Sequence, residues 1–374
     1  MKPKTRKINV MLAIAGLHHG GAERVIASLC NHLDKSRFSV TVCWRMARGA
    51  IGEELMAQGH EVIGLPELVP AVTPYRRFLV LKKLMQEKHI DVLHTHDTGA
   101  LADGAQCRML GSKTRLVHTF HFGNYPILKN RYVLMEMIFS RMANHLVAVG
   151  VEQAKQIRKA LRLPSSRLDT IYNGVGLPAF DSGADPLKSY RNRPGQPVVI
   201  GSISTLIEQK GLTFLLETAD ILRRRKTNCI FLIAGGGPLQ QELESKCKRL
   251  GLTETVYFVG WVPNAANNLL PFLDIFCQSS LWEANSIVLL EAMAVGLPIV
   301  TTDVGESSHV IEEGRSGRVV GPRDPAGMAE ALALLVDQKE LRQQMGRSAR
   351  QDCVGKFTVD KMISRYEAVY ESLL

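Results

Sequence analysis

The chain has 374 residues, 45% hydrophobic and 22% charged, which supplies two cored domains and excludes a disordered or low-complexity polymer. Its formal net charge of +10 is unevenly placed: residues 1–180 carry 25 Lys and Arg against 13 Asp and Glu, and residues 181–374 carry 21 against 23. A basic first half points to an anionic membrane surface or an anionic acceptor, and no nucleic-acid-binding motif accompanies it. Seven scattered cysteines, none in a CxxC pair, argue for reduced thiols, no zinc site and a cytoplasmic setting. No stretch approaches the ~20 apolar residues of a spanning helix, so membrane contact is expected to be peripheral, on the inner face.

The opening MKPKTRKINVMLAIAG imitates a secretory signal, but its apolar run is short and interrupted by Asn9. A buried strand over Ile8–Ala15 leading into Gly20-Gly21 and a helix from Ala22 explains it better. Paired glycines let a ligand approach the backbone beside a positive helix end. Short apolar runs then alternate with helical patterns at Ser39–Cys43, Glu61–Leu65, Asp91–His94, Arg115–Thr119, His145–Val149 and Leu168–Tyr172. That alternation predicts βαβ units and a parallel sheet, with ligands gathering at the carboxyl ends of the strands. The rule selects His94 and His96 after one strand and His118 and His121 after another. Interior histidines also serve as hydrogen-bonded structural residues, so both readings stand. Pro74 to Met85 reads as a helix with basic pairs beside apolar residues: either a core-facing helix with a wet basic face or a membrane-surface helix.

A polar, Pro/Gly-rich segment from Leu177 to Gln196 reads as a linker. Beyond it a strand at Pro197–Ile203 precedes Lys210-Gly211, placed where a lysine reaches a phosphate beside a helix start. Cys229–Ala234 runs into Gly235-Gly236-Gly237, and Val256–Val259 into Gly260-Trp261-Val262. In Leu281–Thr302, LWEANSIVLLEAMAVGLPIVTT, a helix capped by Asn285 or Ser286 puts Glu291 on its second turn and Glu283 in the loop before it. Helices follow at Pro325–Val336, Lys339–Asp352 and Val359–Leu374.

This stretch, with its Glu, seven residues, second Glu, Ala-Met-Ala and Gly-x-Pro, resembles the signature of retaining GT-B-fold glycosyltransferases of family 4 (glycosyl transferases group 1). GGAERVI after the first strand, IYNGV at the first domain's end and Lys210-Gly211 are similar to other family positions. The resemblance implies an α/β GT-B fold: two Rossmann-like βαβ domains facing across a cleft, with a C-terminal helix returning to the first. The expected bounds are 1–178 for an acceptor-side domain with 356–374 packing back on it, 179–196 for the linker, and 197–355 for a nucleotide-sugar-binding domain.

The activity implied is sugar transfer, with retention, from a nucleotide diphosphate sugar to a hydroxyl of a glycan or lipid-linked acceptor, as in cell-surface polysaccharide or glycolipid assembly. UDP is the favoured donor base and GDP stays open. By resemblance, His121, Lys210 and Glu283 serve the chemistry. Gly20, Gly21, Thr205, Lys210, Gly235, Gly236, Val262, Glu283, Ser286, Ile287 and Glu291 hold the donor, and His96 and Asn124 lie on the acceptor side. Related sequences commonly carry an Arg where this chain has Thr205, so one leaving-group cation is missing. No Asp-x-Asp occurs, and neither a metal nor a cofactor beyond the co-substrate is expected. Two other readings are a nucleotide-sugar epimerase of the same fold and a weak, partner-dependent nucleotide-sugar binder.

Overall fold

The computed structural model describes residues 6–18, 20–69, 73–123, 129–178, 186–193 and 195–374. It divides into two compact units, Met1–Gly174 with Val359–Leu374, and Val175–Thr358.

In the first unit the strands are β1 (Ile8–Gly16), β2 (Phe38–Ala47), β3 (Glu61–Gly64), β4 (Val92–Thr95), β5 (Arg115–Phe120), β6 (His145–Ala148) and β7 (Asp169–Thr170). They form one parallel sheet in the order β3-β2-β1-β4-β5-β6-β7. Val10 to Ile14 of β1 are all buried, because helices cover both faces of such a sheet and leave no wet side to alternate with. One face packs on the helices Arg77–Glu87, Thr98–Met109, Asn130–Phe139 and Val151–Leu161, which share a core with Met11, Leu93 and Leu116.

The C-terminal helix, Val359–Ser372, belongs to this unit. Val359, Met362, Ile363, Tyr366, Val369 and Tyr370 recur at three- and four-residue spacing and are all buried, which is the stripe a docked helix requires. The helix packs on Gly21–His32. Its Glu367 pairs with Arg37 at 3.0 Å, and its Arg365 with Asp169 at 3.2 Å.

The second unit contains β8 (Val198–Ile203), β9 (Cys229–Ala234), β10 (Val256–Gly260), β11 (Ile275–Gln278), β12 (Ile299–Thr302) and β13 (Gly317–Val320), all parallel, in the order β10-β9-β8-β11-β12-β13. The helix Ile287–Val295 is apolar around most of its circumference because it is covered on two sides. It lies against the sheet and against Lys339–Lys356, where a Cβ on Gly346 would come 2.0 Å from the Gly296 carbonyl. Within the segment expected as a linker, the helix Lys188–Arg191 is held by Arg191 pairing with Asp274 at 3.1 Å. All seven cysteines are buried and none is in a disulfide. Among the described residues no helix is long and apolar enough to cross a membrane.

Tyr366 is 1% exposed and its hydroxyl meets Thr119 Oγ1 at 3.1 Å. Tyr366→Ala is therefore expected to destabilise the first unit by about 3–5 kcal/mol, and Tyr366→Phe by about 1 kcal/mol, the net worth of one hydrogen bond. Urea unfolding of the two variants checks the difference.

Candidate functional site

In the second sheet the strand order reverses between β8 and β11, so the crevice at their carboxyl ends is where an open parallel sheet admits a ligand. The loop after β8 closes in a short 3-10 turn, Glu208–Lys210, and Gly211 then opens the helix Leu212–Arg224. Gly211 has φ +60°, and a Cβ there would lie 2.1 Å from the Ser279 carbonyl oxygen, so only glycine lets the two loops meet. The meeting is stitched by backbone and side chain. Leu281 N donates to Gln209 O at 2.7 Å, Ser279 Oγ to Lys210 O at 2.9 Å, and Gln209 Nε2 to Trp282 O at 2.9 Å.

These bonds bring Lys210 to Glu283, whose residue is 8% exposed. Lys210 Nζ and Glu283 Oε1 are 2.5 Å apart, and Ser280 Oγ donates to the same oxygen at 2.8 Å. A buried carboxylate needs such partners, since an unpaired one is expensive. An ammonium has three donors, and the pair to Glu283 uses one, so Lys210 can serve a second anion without leaving the first.

Ser286 is the cap of Ile287–Val295: its Oγ accepts from Leu289 N at 3.4 Å and donates to Gln278 Oε1 at 2.7 Å. The helix start thus faces a shallow concavity bordered by Glu283, Asn285, Ser286, Glu306 and Ser307. Ile287 forms the first turn, where N–H groups lack intrahelical partners. Glu291 lies one turn further on, half-buried.

The glycines after β9 differ in their duties. A Cβ on Gly235, at φ +131°, would be 1.9 Å from the Ser204 carbonyl, so the close packing of two loops dictates this glycine. Gly236 has open space where its Cβ would be. Thr205 is exposed in the loop after β8, and Val262 stands two residues past β10, beside Trp261, which is 51% exposed.

In the first sheet the order reverses between β1 and β4. Gly20 precedes the helix Gly21–His32 as its extended cap residue, and Glu23 in its first turn has its carboxyl pushed up by burial. His96 follows β4 and His121 follows β5, and the neighbouring strand ends bring their rings together: His96 Nδ1 and His121 Nε2 are 2.9 Å apart. The His94 ring lies against His96, tilted by 39° with centroids 4.1 Å apart. It is held at both nitrogens, by Tyr370 at 2.7 Å and by Thr119 at 2.8 Å. His118 is instead turned to Thr95 Oγ1 at 2.9 Å. The four predicted histidines therefore split into a run of three neighbouring rings and one structural partner of Thr95. Asn124 lies outside the described residues.

Burial depresses all four rings: His118 and His121 down to about 3, His94 and His96 well below the ordinary range, with neighbouring imidazoles lowering all but His121 further. Neutral imidazoles donate and accept hydrogen bonds but bring no positive charge, which suits a hydroxyl-bearing ligand better than a phosphate. Among the described residues no group of three His, Cys, Asp or Glu side chains is arranged to hold a metal ion. Sequence reasoning missed Ser280, Gln278, Thr119 and Tyr370. Ser280 and Gln278 could have been flagged by their place at the end of β11, whereas nothing local marks Tyr370.

The depressed histidines fix a direction of pH dependence. In the unfolded chain their ordinary value is near 6.5, so unfolding below that pH takes up protons that the native state lacks. The stability from these neutral rings is present above pH 6.5 and is lost as pH falls toward the folded values. At pH 5 unfolding should take up about one proton per buried ring, and His118→Gln should remove about one from the total. Unfolding free energies measured across pH 4.5 to 7 give that number as a slope.

Two family models cover the chain: Glycosyltransferase Family 4 over residues 19–177 and Glycosyl transferases group 1 over residues 186–352. The N-acetyl-alpha-D-glucosaminyl L-malate synthase of Bacillus anthracis is 26% identical over 363 residues, spanning 87% of this chain and 92% of that protein. The UDP-Gal:alpha-D-GlcNAc-diphosphoundecaprenol alpha-1,3-galactosyltransferase of Escherichia coli is 23% identical over 314 residues, 81% of this chain and 80% of its own. Among solved structures, Anabaena Alr3699/HepE in complex with UDP and glucose matches with a TM-score of 0.83 at 19% identity, covering 98% of this chain and all of that one. The two parallel sheets, both family matches and the structural likeness agree: this chain is a glycosyltransferase of group 1, family 4, with the α/β GT-B fold.

Proposed function

We propose that the protein transfers a hexosyl group, with retention at the anomeric carbon, from a nucleotide diphosphate sugar to a hydroxyl of a glycan or lipid-linked acceptor in surface polysaccharide or glycolipid assembly. The observation that carries this reading is the Lys210–Glu283 pair beside the capped start of Ile287–Val295, at the carboxyl ends of β8 and β11. UDP is the favoured nucleotide. Support comes from the galactosyltransferase named for UDP-Gal and a diphosphoundecaprenol-linked acceptor, and from the solved relative that holds UDP and glucose.

In this reading the leaving diphosphate lies against Lys210 and the N–H groups at the helix start, with Gly236 allowing close approach and the backbone near Val262 meeting the base. No metal ion takes part, so the negative charge that develops on bond cleavage is met by fixed dipoles and one ammonium. Such preorganised stabilisation is worth several kcal/mol in a dry site. Glu291 accepts from the ribose hydroxyls, and Glu283, Ser286 and Ile287 hold sugar hydroxyls and phosphate. Neutral His121, steadied by His96, meets a donor-sugar hydroxyl, and a leaving-group phosphate oxygen takes the acceptor proton.

One observation favours a second reading, a nucleotide-sugar binder with weak turnover: Lys210 is already paired, and exposed Thr205 supplies no second cation. The two readings separate experimentally. A UDP-sugar donor at a hundredfold its dissociation constant should stabilise the fold by about 2.7 kcal/mol in either case. Only the transferase releases UDP in an acceptor-dependent way. There, Lys210→Ala should lower kcat by roughly 10²–10³, the cost of losing one charge-stabilising donor, and Glu291→Ala should raise the donor KM. Full activity in Glu291→Ala would sink the donor-site assignment.

A further inference from the structure

The helix Arg77–Glu87 turns Leu81, Leu84 and Met85 into the core and leaves Leu79 outside, which with Tyr75 in the preceding turn Pro74–Arg76 makes a short exposed stripe. Tyr75, Leu79 and Lys82 recur at spacings of four and three on that outer side, with Tyr75 86% and Leu79 45% exposed. Lys82 Nζ donates to the Leu110 carbonyl at 2.7 Å, which sets the end of Thr98–Met109 beside the stripe. There Met109 and Leu110 are 68% and 50% exposed. Tyr75, Leu79, Met109 and Leu110 thus present large apolar side chains on the surface that no other described residue buries, and exposed apolar patches mark interaction sites.

The charge around them selects the partner. Exposed Arg76, Lys83 and Lys113 and half-buried Lys82 interleave with the apolar residues. The acid on this side of the helix, Glu87, pairs with Lys83 at 3.7 Å. Lys and Arg can lay their stems on an apolar layer and keep their charges at its polar edge. Pairing with a second copy across a two-fold axis would set the same lysines against each other. The excess of 25 basic over 13 acidic side chains in residues 1–180 repels a basic partner and attracts an anionic layer.

We propose that this face seats on an anionic phospholipid surface: Tyr75, Leu79, Met109 and Leu110 enter the headgroup layer, and Arg76, Lys82, Lys83 and Lys113 meet lipid phosphates. The inference is independent of the sugar-transfer reading, because vesicle binding requires no turnover.

The test is co-sedimentation of the full chain with phosphatidylcholine vesicles, with and without phosphatidylglycerol. Wild type is expected to bind the phosphatidylglycerol vesicles, less so as salt rises, and to bind pure phosphatidylcholine weakly. Lys82→Gln with Lys83→Gln should weaken binding roughly tenfold, and Leu79→Ser with Met109→Ser should weaken it at unchanged net charge. Lys248→Gln with Arg249→Gln, an equal loss of charge on exposed positions of the second unit, should bind as wild type does. Tyr75→Trp should show a blue-shifted difference emission on phosphatidylglycerol vesicles. The proposal is overturned if both double-lysine-type variants weaken binding equally, or if Tyr75→Trp shows no shift on vesicles that hold the protein. It is also overturned if the wild type ignores vesicles but forms a dimer in ultracentrifugation that Leu79→Ser breaks, which would make this face a protein interface.

Discussion

The Lys210–Glu283 ion pair depends on almost everything else in the second unit, and the site's electrostatics depend on it in turn. An ammonium and a carboxylate 2.5 Å apart in a largely buried place are costly to bring together unless other bonds hold the loops that carry them. Here Gly211 permits the approach, Ser279 ties the two loops by its hydroxyl and Leu281 by its backbone N–H, and Thr302 Oγ1 anchors Ser280 through its carbonyl at 2.6 Å. Lys210 is therefore preplaced, with few rotamers left to lose when an anion arrives. The same pair neutralises it, so a phosphate meeting this lysine competes with Glu283 or shares the ammonium with it.

The first unit solves a different problem. Its strand ends bury imidazoles rather than charges, and burial keeps them neutral. Neutral rings must be oriented by hydrogen bonds, because no ion pair will hold them. His94 is fixed at both nitrogens, and its ring supports His96, which meets His121. The fixing groups, Tyr370 and Thr119 with Tyr366 behind it, come partly from the C-terminal helix. The last helix of the chain is thus a support of the histidine run as well as a cover for the core.

How much of this was legible beforehand follows from which interactions are local. The capped helix, with Glu291 on its second turn and Glu283 just outside, was readable because the Ser286 cap, the apolar run and Gly296 all lie within about ten residues. The βαβ alternation was readable for the same reason, and the buried stripe of Val359–Ser372 has a plain helical period. The Lys210–Glu283 pair spans 73 residues and the His94–Tyr370 bond 276, and no pattern in a single sequence links such positions. The strand-end rule did not separate the four histidines, and only the resemblance singled out His96 and His121. Only the pleat and the strand neighbours separate His118, turned to Thr95, from His96 and His121, which leave the ends of adjacent strands. Gly235 and Gly236 looked alike as well, and differ only in what lies within reach of a Cβ.

The two units also divide the kinds of ligand atom they suit. A phosphate is best met by a positive centre and by N–H groups at a helix start, which is the equipment at Lys210 and Ile287. A hydroxyl has both a donor and an acceptor to satisfy, and a neutral imidazole offers one of each, whereas a protonated ring could only donate. Depressing His121 to about 3 therefore does more than avoid a buried charge: it preserves an acceptor nitrogen throughout the neutral range. The basic surplus of the first unit does not contradict this: buried Arg45 near the end of β2 is paired with Asp103 at 2.6 Å and Asp97 at 3.5 Å. His94, His96 and His118 are buried and His121 half-buried, while Arg76, Lys83 and Lys113 are exposed, so these charges stand on the surface, where water screens them.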